Sequence, residues 1–171
     1  MDFHNLITAR RSVRRFANIP VPDDKLQAIL EAAARAPTAG NLQAYHVFVV
    51  RNEQCREDLA AASRQQMFVA EAPVVLVFCA QPERSAPRYA DRGRRLYCLQ
   101  DATIACTYAM LAATEEGLAT VWIGAFDDDE VAACIDAPDG LHPVAVLPVG
   151  YAAEAPDLVE RRAISEFTTN I

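Results

Sequence analysis

The run Val74-Val75-Leu76-Val77-Phe78-Cys79-Ala80 constrains this chain more than any other segment. Its seven residues are all apolar, so it has no polar side to turn toward water. Such a run predicts a central strand covered on both faces, not one face of a half-wet sheet. A strand of that kind needs helices above and below it. A chain of 171 residues with a hydrophobic fraction of 52% is enough to supply them within one domain. No apolar run approaches the roughly 20 residues that would span a bilayer, so no membrane partner is expected.

Charge narrows the function classes. Asp and Glu number 23 against 16 Lys and Arg, a formal net charge of −7, which disfavours general nucleic-acid binding because that requires basic surface. The start, Met1-Asp2-Phe3-His4-Asn5, is acidic and polar where a secretion signal is basic and then apolar. A cytoplasmic protein is expected. The 5 cysteines are odd in number and none forms a CxxC pair. Cys79 reads as a small buried hydrophobe. His4, His46 and His142 lack any metal-ligand spacing, so no metal is expected.

The remaining segments read as alternating elements. Phe3, Leu6 and Ile7 give a short amphipathic helix over 2–9, and a second helix runs from Pro22 to about Arg35. Residues 36–41 form a loop by their Pro, Gly and Asn content. Strands are predicted over 45–50, 119–123 and 143–149, with helices over 53–64 and 127–135. The segment from Arg84 to Arg95 is polar and Arg-rich, an exposed loop or short helix. The longest helix is expected from Asp101 to Glu116, ended by Gly117, and it is apolar nearly all round. The tail from Ala152 contains Pro and has little core of its own. Strands interleaved with helices suggest, taken alone, a parallel α/β sheet.

The cations are nearly all arginine, with Lys25 the single lysine, and they cluster. Four stand in Arg10-Arg11-Ser12-Val13-Arg14-Arg15, three in Arg92-Gly93-Arg94-Arg95 and two at Arg161-Arg162. A guanidinium is a flat fork of donors that matches a phosphate at two points. Separate clusters could therefore converge on one phosphate-bearing ligand, or each could simply be a solvated face.

Several motifs in order resemble the flavin-dependent nitroreductase family. They are Arg10–Phe16, Ala36-Pro37-Thr38-Ala39-Gly40-Asn41-Leu42-Gln43, Glu71-Ala72-Pro73-Val74-Val75, Arg92-Gly93, Gln100-Asp101-Ala102, 117–124 and Pro148-Val149-Gly150-Tyr151. The resemblance implies an α+β fold: a three-layer, mainly antiparallel sheet with helices on both faces. It overrules the parallel sheet that element order alone suggests. It further implies a single FMN-binding domain over 1–171, a homodimer, and a C-terminal arm, 151–171, wrapped around the partner subunit.

The same resemblance assigns the site. Arg10, Arg11, Ser12 and Arg14 would hold the FMN phosphate, together with a C-terminal cation that maps to Arg161, or to Arg162 in a shifted register. Pro37, Thr38, Ala39, Asn41 and Gln43 would pack on the flavin of the partner, although Asn41 after Gly40 also reads as a plain turn residue. Gln66, or Gln65 in a shifted alignment, would meet the pyrimidine edge. Trp122, Ile123, Gly124 and Ala125 would approach the ring, with the Gly124 backbone near N5; Trp122 taken alone reads as core. The chain departs from many relatives in having Phe68 where a Lys occurs, Ala44-Tyr45 where Pro-Trp occurs, and little length for a helical excursion over the flavin.

The activity implied is FMN-mediated reduction of nitroaromatics, quinones or similar acceptors by NADH or NADPH, in ping-pong order through N5 and with no catalytic side chain. Two alternatives stay open: a branch acting on a specialised metabolite as dehydrogenase, oxidase or flavin-fragmenting enzyme, and a non-enzymatic FMN-binding or storage protein.

Overall fold

The computed structural model describes residues 1–171. At its centre lies β2 (Val74–Ala80), in which no residue is more than 2% exposed. Its edges are filled by β1 (Tyr45–Val50) on one side and β4 (His142–Gly150) on the other, both antiparallel. A two-residue strand, β3 (Ala119–Thr120), extends β4 and completes the order β1-β2-β4-β3.

Successive side chains of β2 enter different layers, as strand geometry requires. Val74, Leu76 and Phe78 pack with Ile29 of α2 (Asp23–Ala34) and with Ala105, Ala109 and Ala113 of α6 (Cys98–Glu115). Val75, Val77 and Cys79 meet Leu59 of α3 (Glu53–Ala62), Val69 of α4 (Phe68–Glu71) and Val131 of α7 (Asp128–Cys134). Ala102, Ala105, Ala109 and Ala113 recur every three to four residues and are wholly buried, so the α6 backbone lies close to the sheet. Burial pushes the thiol of Cys79 up to about 12 and that of Cys106 well above its ordinary value.

The sheet is antiparallel despite the helices between its strands. After β1 the chain leaves along α3, reverses at Arg64 and Gln65 (φ 56° and 59°), and returns through α4. An out-and-back path re-enters the sheet at the end it left, whereas a parallel neighbour would need a single traverse. Other boundaries differ from expectation. The strand predicted over 119–123 keeps only Ala119–Thr120 and an isolated bridge from Ile123 to Val146. The segment 84–95, expected as an exposed loop or short helix, takes the helical form: α5 (Pro82–Arg92) is followed by a π-turn, Gly93–Tyr97, that runs directly into α6. Gly117, at φ 73°, ends α6 as its composition required.

Two apolar surfaces have no cover within the chain. Phe3 and Ile7 of α1 (Phe3–Ala9) are 69% and 45% exposed, and Leu99 and Tyr108 of α6 are 41% and 40% exposed. The tail from Asp157 to Ile171 is exposed throughout, including Leu158, Val159, Ile164 and Phe167. No helix is long and apolar enough to cross a membrane. Because Phe78 is wholly buried between α2, α6 and the neighbouring strands, Phe78→Ala should cost about 3–5 kcal/mol of stability. A urea titration reads this directly, and a loss near zero would show that β2 is not the centre of the core.

Candidate functional site

The arginine segment after α1 lies along the free edge of β3. Ser12 bridges Thr120, and the Val13 N–H donates to the Thr120 carbonyl at 3.1 Å. Further on, the Ala17 N–H reaches Tyr151 O at 2.8 Å and the Ala153 N–H reaches Arg15 O at 2.9 Å. Val13 and Phe16 are buried and fix the segment, which leaves Ser12 half-buried and Arg14 exposed. The guanidinium of Arg11 donates to the carbonyls of Thr8 and Arg10. It thereby caps the last turn of α1, where a cation is favoured.

Arg10, Arg11, Ser12 and Arg14 line one open cavity of about 600 Å³, and Arg161 joins them from the tail. Asp157 also borders it, yet none of the four guanidinium groups has a carboxylate oxygen within 4.0 Å; Glu154 meets Arg14 only at its backbone N–H. Burial first, and then the charges of Arg161 and Arg11, push the Arg10 guanidinium below its ordinary value. An arginine remains protonated under such a shift, so the cavity holds guanidinium charge that no ion pair within the chain takes up. Arg162 points elsewhere, its guanidinium 5.5 Å from the centre of the Phe167 ring.

Beyond β3 the chain continues through Trp122 and Ile123 to Gly124 and Ala125. Ile123 exchanges two 3.0 Å hydrogen bonds with Val146 and is buried, while Gly124 and Ala125 are exposed. A side chain on Gly124 would come within 3.2 Å of the Trp122 indole nitrogen. Gln66 turns toward this point: its amide donates to Ser63 O at 2.8 Å and to Ala125 O at 3.4 Å. Gln65 instead reaches back to Ala61 O at 3.5 Å. Arg64 and Gln65 both hold left-handed backbone, which costs about 1 kcal/mol each for a residue with a side chain. That bend delivers Gln66.

The loop of residues 37–43 stands apart from these groups. Gly40, Asn41 and Gln43 have φ of 59°, 58° and 50°, a conformation held from outside. Asp101, only 1% exposed, accepts from the Ala39 N–H at 3.0 Å and from the Ala44 N–H at 3.1 Å. Arg84 Nε donates to Leu42 O at 2.6 Å and Arg88 Nη1 to Gly40 O at 3.2 Å. Thr38 Oγ1 accepts from the Gln43 N–H at 3.1 Å, and the Gln43 amide donates to Asn41 Oδ1 at 3.2 Å. Pro37, Asn41 and Gln43 remain exposed, while Thr38 and Ala39 are half-buried.

Asp101 is the residue that sequence reasoning left without a role. The signal was present: a carboxylate three residues into a largely apolar helix, next to the buried face carried by Ala102 and Ala105, has to find buried donors. It also fixes distances. Asp101 binds the loop at the first turn of α6, whereas Arg10 and Arg11 also line a second cavity with Thr114 of the last turn and Gly117 just beyond it. The helix rises about 20 Å between Asp101 and Thr114. A single chain therefore does not bring the loop and the arginine cavity together.

Comparison with known proteins supplies the family. The sequence model of the Nitroreductase family matches residues 7–81 and 65–151. The chain belongs to the nitroreductase family. A relative named NADH dehydrogenase, from Thermus thermophilus, is 32% identical over 90% of this chain and 88% of its own length. The FMN reductase [NAD(P)H] of Bacillus subtilis is 30% identical over 86% of this chain and 65% of its own. A solved structure of a nitroreductase family protein from Clostridium novyi has 31% identity and a TM-score of 0.82, covering 90% of this chain and 87% of its own. The antiparallel sheet with helices on both faces is thus the fold of the family.

The Asp101 contacts lead to a direct expectation. Asp101→Asn keeps the shape but replaces one acceptor by a donor facing a backbone N–H. Losing a hydrogen bond to a charged group costs about 1.5–3 kcal/mol, so the Ala39 and Ala44 amides should exchange with solvent markedly faster. Unchanged protection of both amides by hydrogen-exchange measurement would remove Asp101 from this role.

Proposed function

We infer that the protein is an FMN-dependent NAD(P)H oxidoreductase acting on electron-poor small molecules such as nitroaromatics or quinones. The observation that carries this reading is the arginine cavity: the guanidinium groups of Arg10, Arg14 and Arg161 without ion-pair partners, beside the Ser12 hydroxyl. That donor set suits a phosphate dianion, which would remove the repulsion now felt by Arg10. Bound there, FMN would supply the redox chemistry by accepting a hydride at N5 and passing it to the acceptor.

The chain's own groups then have distinct tasks. Arg10, Arg14 and Arg161 grip the phosphate, and Ser12 adds a donor. Gly124 and Ala125 present bare backbone on which a flat ring can rest, with the Gly124 N–H available as donor. Gln66, already aimed at Ala125, offers an amide that complements a mixed N–H and C=O edge. Two nearby carboxylates are committed to backbone, Glu71 accepting from the Phe16 N–H at 3.2 Å and Glu154 from the Arg14 N–H, which leaves Asp157 at the border of the cavity. No acid–base pair stands ready in the cavity. Placement is the protein's contribution.

A site with both parts needs two chains. The loop of residues 37–43 and the arginine cavity occupy opposite ends of α6, so a homodimer with crossed α6 helices would let the loop of one chain face the flavin of the other. The exposed apolar groups Phe3, Ile7, Leu99 and Tyr108, and the uncovered tail, are the surfaces such a dimer would bury. Obligate interfaces of this kind cover roughly 2,000–5,000 Å².

The decisive experiment is anaerobic addition of NADH or NADPH to the purified flavin-loaded protein, followed by a panel of acceptors. Bleaching followed by acceptor-dependent recovery supports the reductase; flavin that stays oxidised supports a storage role. Arg10→Ala and Arg14→Ala should each weaken FMN binding by roughly ten- to a hundredfold, the worth of one charge-assisted contact. Arg161→Ala should behave likewise and Arg162→Ala should not; equal affinities throughout would refute the phosphate assignment. A chain ending at Ala152 should lose FMN and dimer together, as read by sedimentation. An FMN-loaded, active monomer is the contrary result.

A further inference from the structure

α5 and the π-turn after it concentrate positive charge on an acidic protein. Arg84, Arg88, Arg92, Arg94 and Arg95 stand there against Glu83 and Asp91. Arg94 pairs with Glu83 at 2.8 Å and with Asp91 at 3.9 Å, and Arg95 pairs with Asp91 at 4.0 Å. Arg84, Arg88 and Arg92 are left without a carboxylate within 4.0 Å. One tether aims each of them: Leu42 O for Arg84, Gly40 O for Arg88, and the Tyr97 hydroxyl, 3.0 Å from Nε, for Arg92. Most of the five donors of each guanidinium stay free.

Two tyrosines complete the cluster. Tyr89 and Tyr97 meet edge to face at 5.0 Å, with Arg88 5.4 Å from the Tyr89 ring centre and Arg92 5.5 Å from that of Tyr97. The Tyr89 hydroxyl lies so close to Gly40 that an added side chain there would stand 2.6 Å from it. The cluster is therefore continuous with the loop of residues 37–43. That loop exposes only uncharged groups, Pro37, Asn41 and Gln43 among them, and has nothing of its own to balance an anion.

We propose that Arg88 and Arg92, framed by Tyr89 and Tyr97, receive the phosphates of the nicotinamide dinucleotide as its ring approaches the flavin at the facing loop. The assignment rests on the flavin oxidoreductase reading given above. A dinucleotide combines phosphate charge with flat bases, and the cluster combines guanidinium forks with aromatic faces. A small neutral acceptor would use none of the charge.

The test separates binding from chemistry. Calorimetric titration of the flavin-loaded dimer with NAD⁺ and NADP⁺ reads affinity without turnover, and anaerobic rapid mixing with NADH and NADPH reads the apparent Kd and the limiting rate of bleaching. Arg92→Gln should weaken dinucleotide binding about tenfold, as for loss of one charge-assisted contact, and flatten its salt dependence. The limiting rate and reoxidation by an uncharged quinone should stay within about twofold of the parent. Arg92→Lys should recover part of the affinity, Arg88→Gln should act in the same direction, and Arg95→Gln should leave affinity unchanged.

Unchanged affinity in both Arg92→Gln and Arg88→Gln overturns the assignment. So does a slower limiting rate at the parental Kd, which would make these residues supports of the loop. An effect confined to reoxidation by an anionic nitroaromatic places the acceptor, not the reductant, on the cluster and overturns it too. A parent that binds the dinucleotides through Arg92 yet never bleaches supports the docking site and counts against the reductase reading.

Discussion

Covering both faces of β2 requires helices on either side of one short strand, and much of the molecule follows from that demand. With Val74, Leu76 and Phe78 on one face and Val75, Val77 and Cys79 on the other, neither layer can be lost without exposing a wholly apolar strand. The inward residues of α6 are largely alanines, which bring the helix backbone close to the sheet. Once α6 is fixed, so are its two ends. The candidate site residues are distributed between them.

The two ends solve opposite electrostatic problems. At the first turn a buried carboxylate, Asp101, is satisfied by two backbone N–H groups and holds a loop with three left-handed residues. Near the last turn, guanidinium groups gather without an ion-pair partner. The first is complete within the chain and rigidifies it. The second is incomplete, and a protein that keeps such a cluster while carrying a net charge of −7 gains stability when an anion binds.

Much of this was legible from composition and order. The apolar run named the central strand, Gly117 named the end of α6, and the ordered motifs named the family. Strand direction was not legible locally, because the reversal at Arg64 and Gln65 uses two ordinary residues in a backbone region that sequence associates with glycine. β3 is short because the register that pairs Thr120 with Val149 sets Val121 opposite Pro148, which has no N–H to give, and pairing resumes only at Ile123 and Val146. For α5 the polar, Arg-rich composition left loop and short helix both open; Pro82 at the helix start, where proline is accepted, belongs with the helix. Arg161 and Arg162 were indistinguishable in sequence; only the cavity and the Phe167 ring tell them apart.

The dense packing of α6 also bears on how such a protein can change over time. A helix turns by about 100° per residue, so inserting or deleting one residue between Asp101 and Thr114 would swing one end out of phase with the other and turn the alanine stripe off the sheet. That span acts as a ruler of fixed length. The segment between Ala80 and Cys98 is under no such restriction: it enters and leaves the sheet layer at fixed points, but its exposed turns can lengthen or be rewritten. Diversification of what this fold accepts should therefore accumulate in α5 and its π-turn, while the neighbouring helix keeps its length.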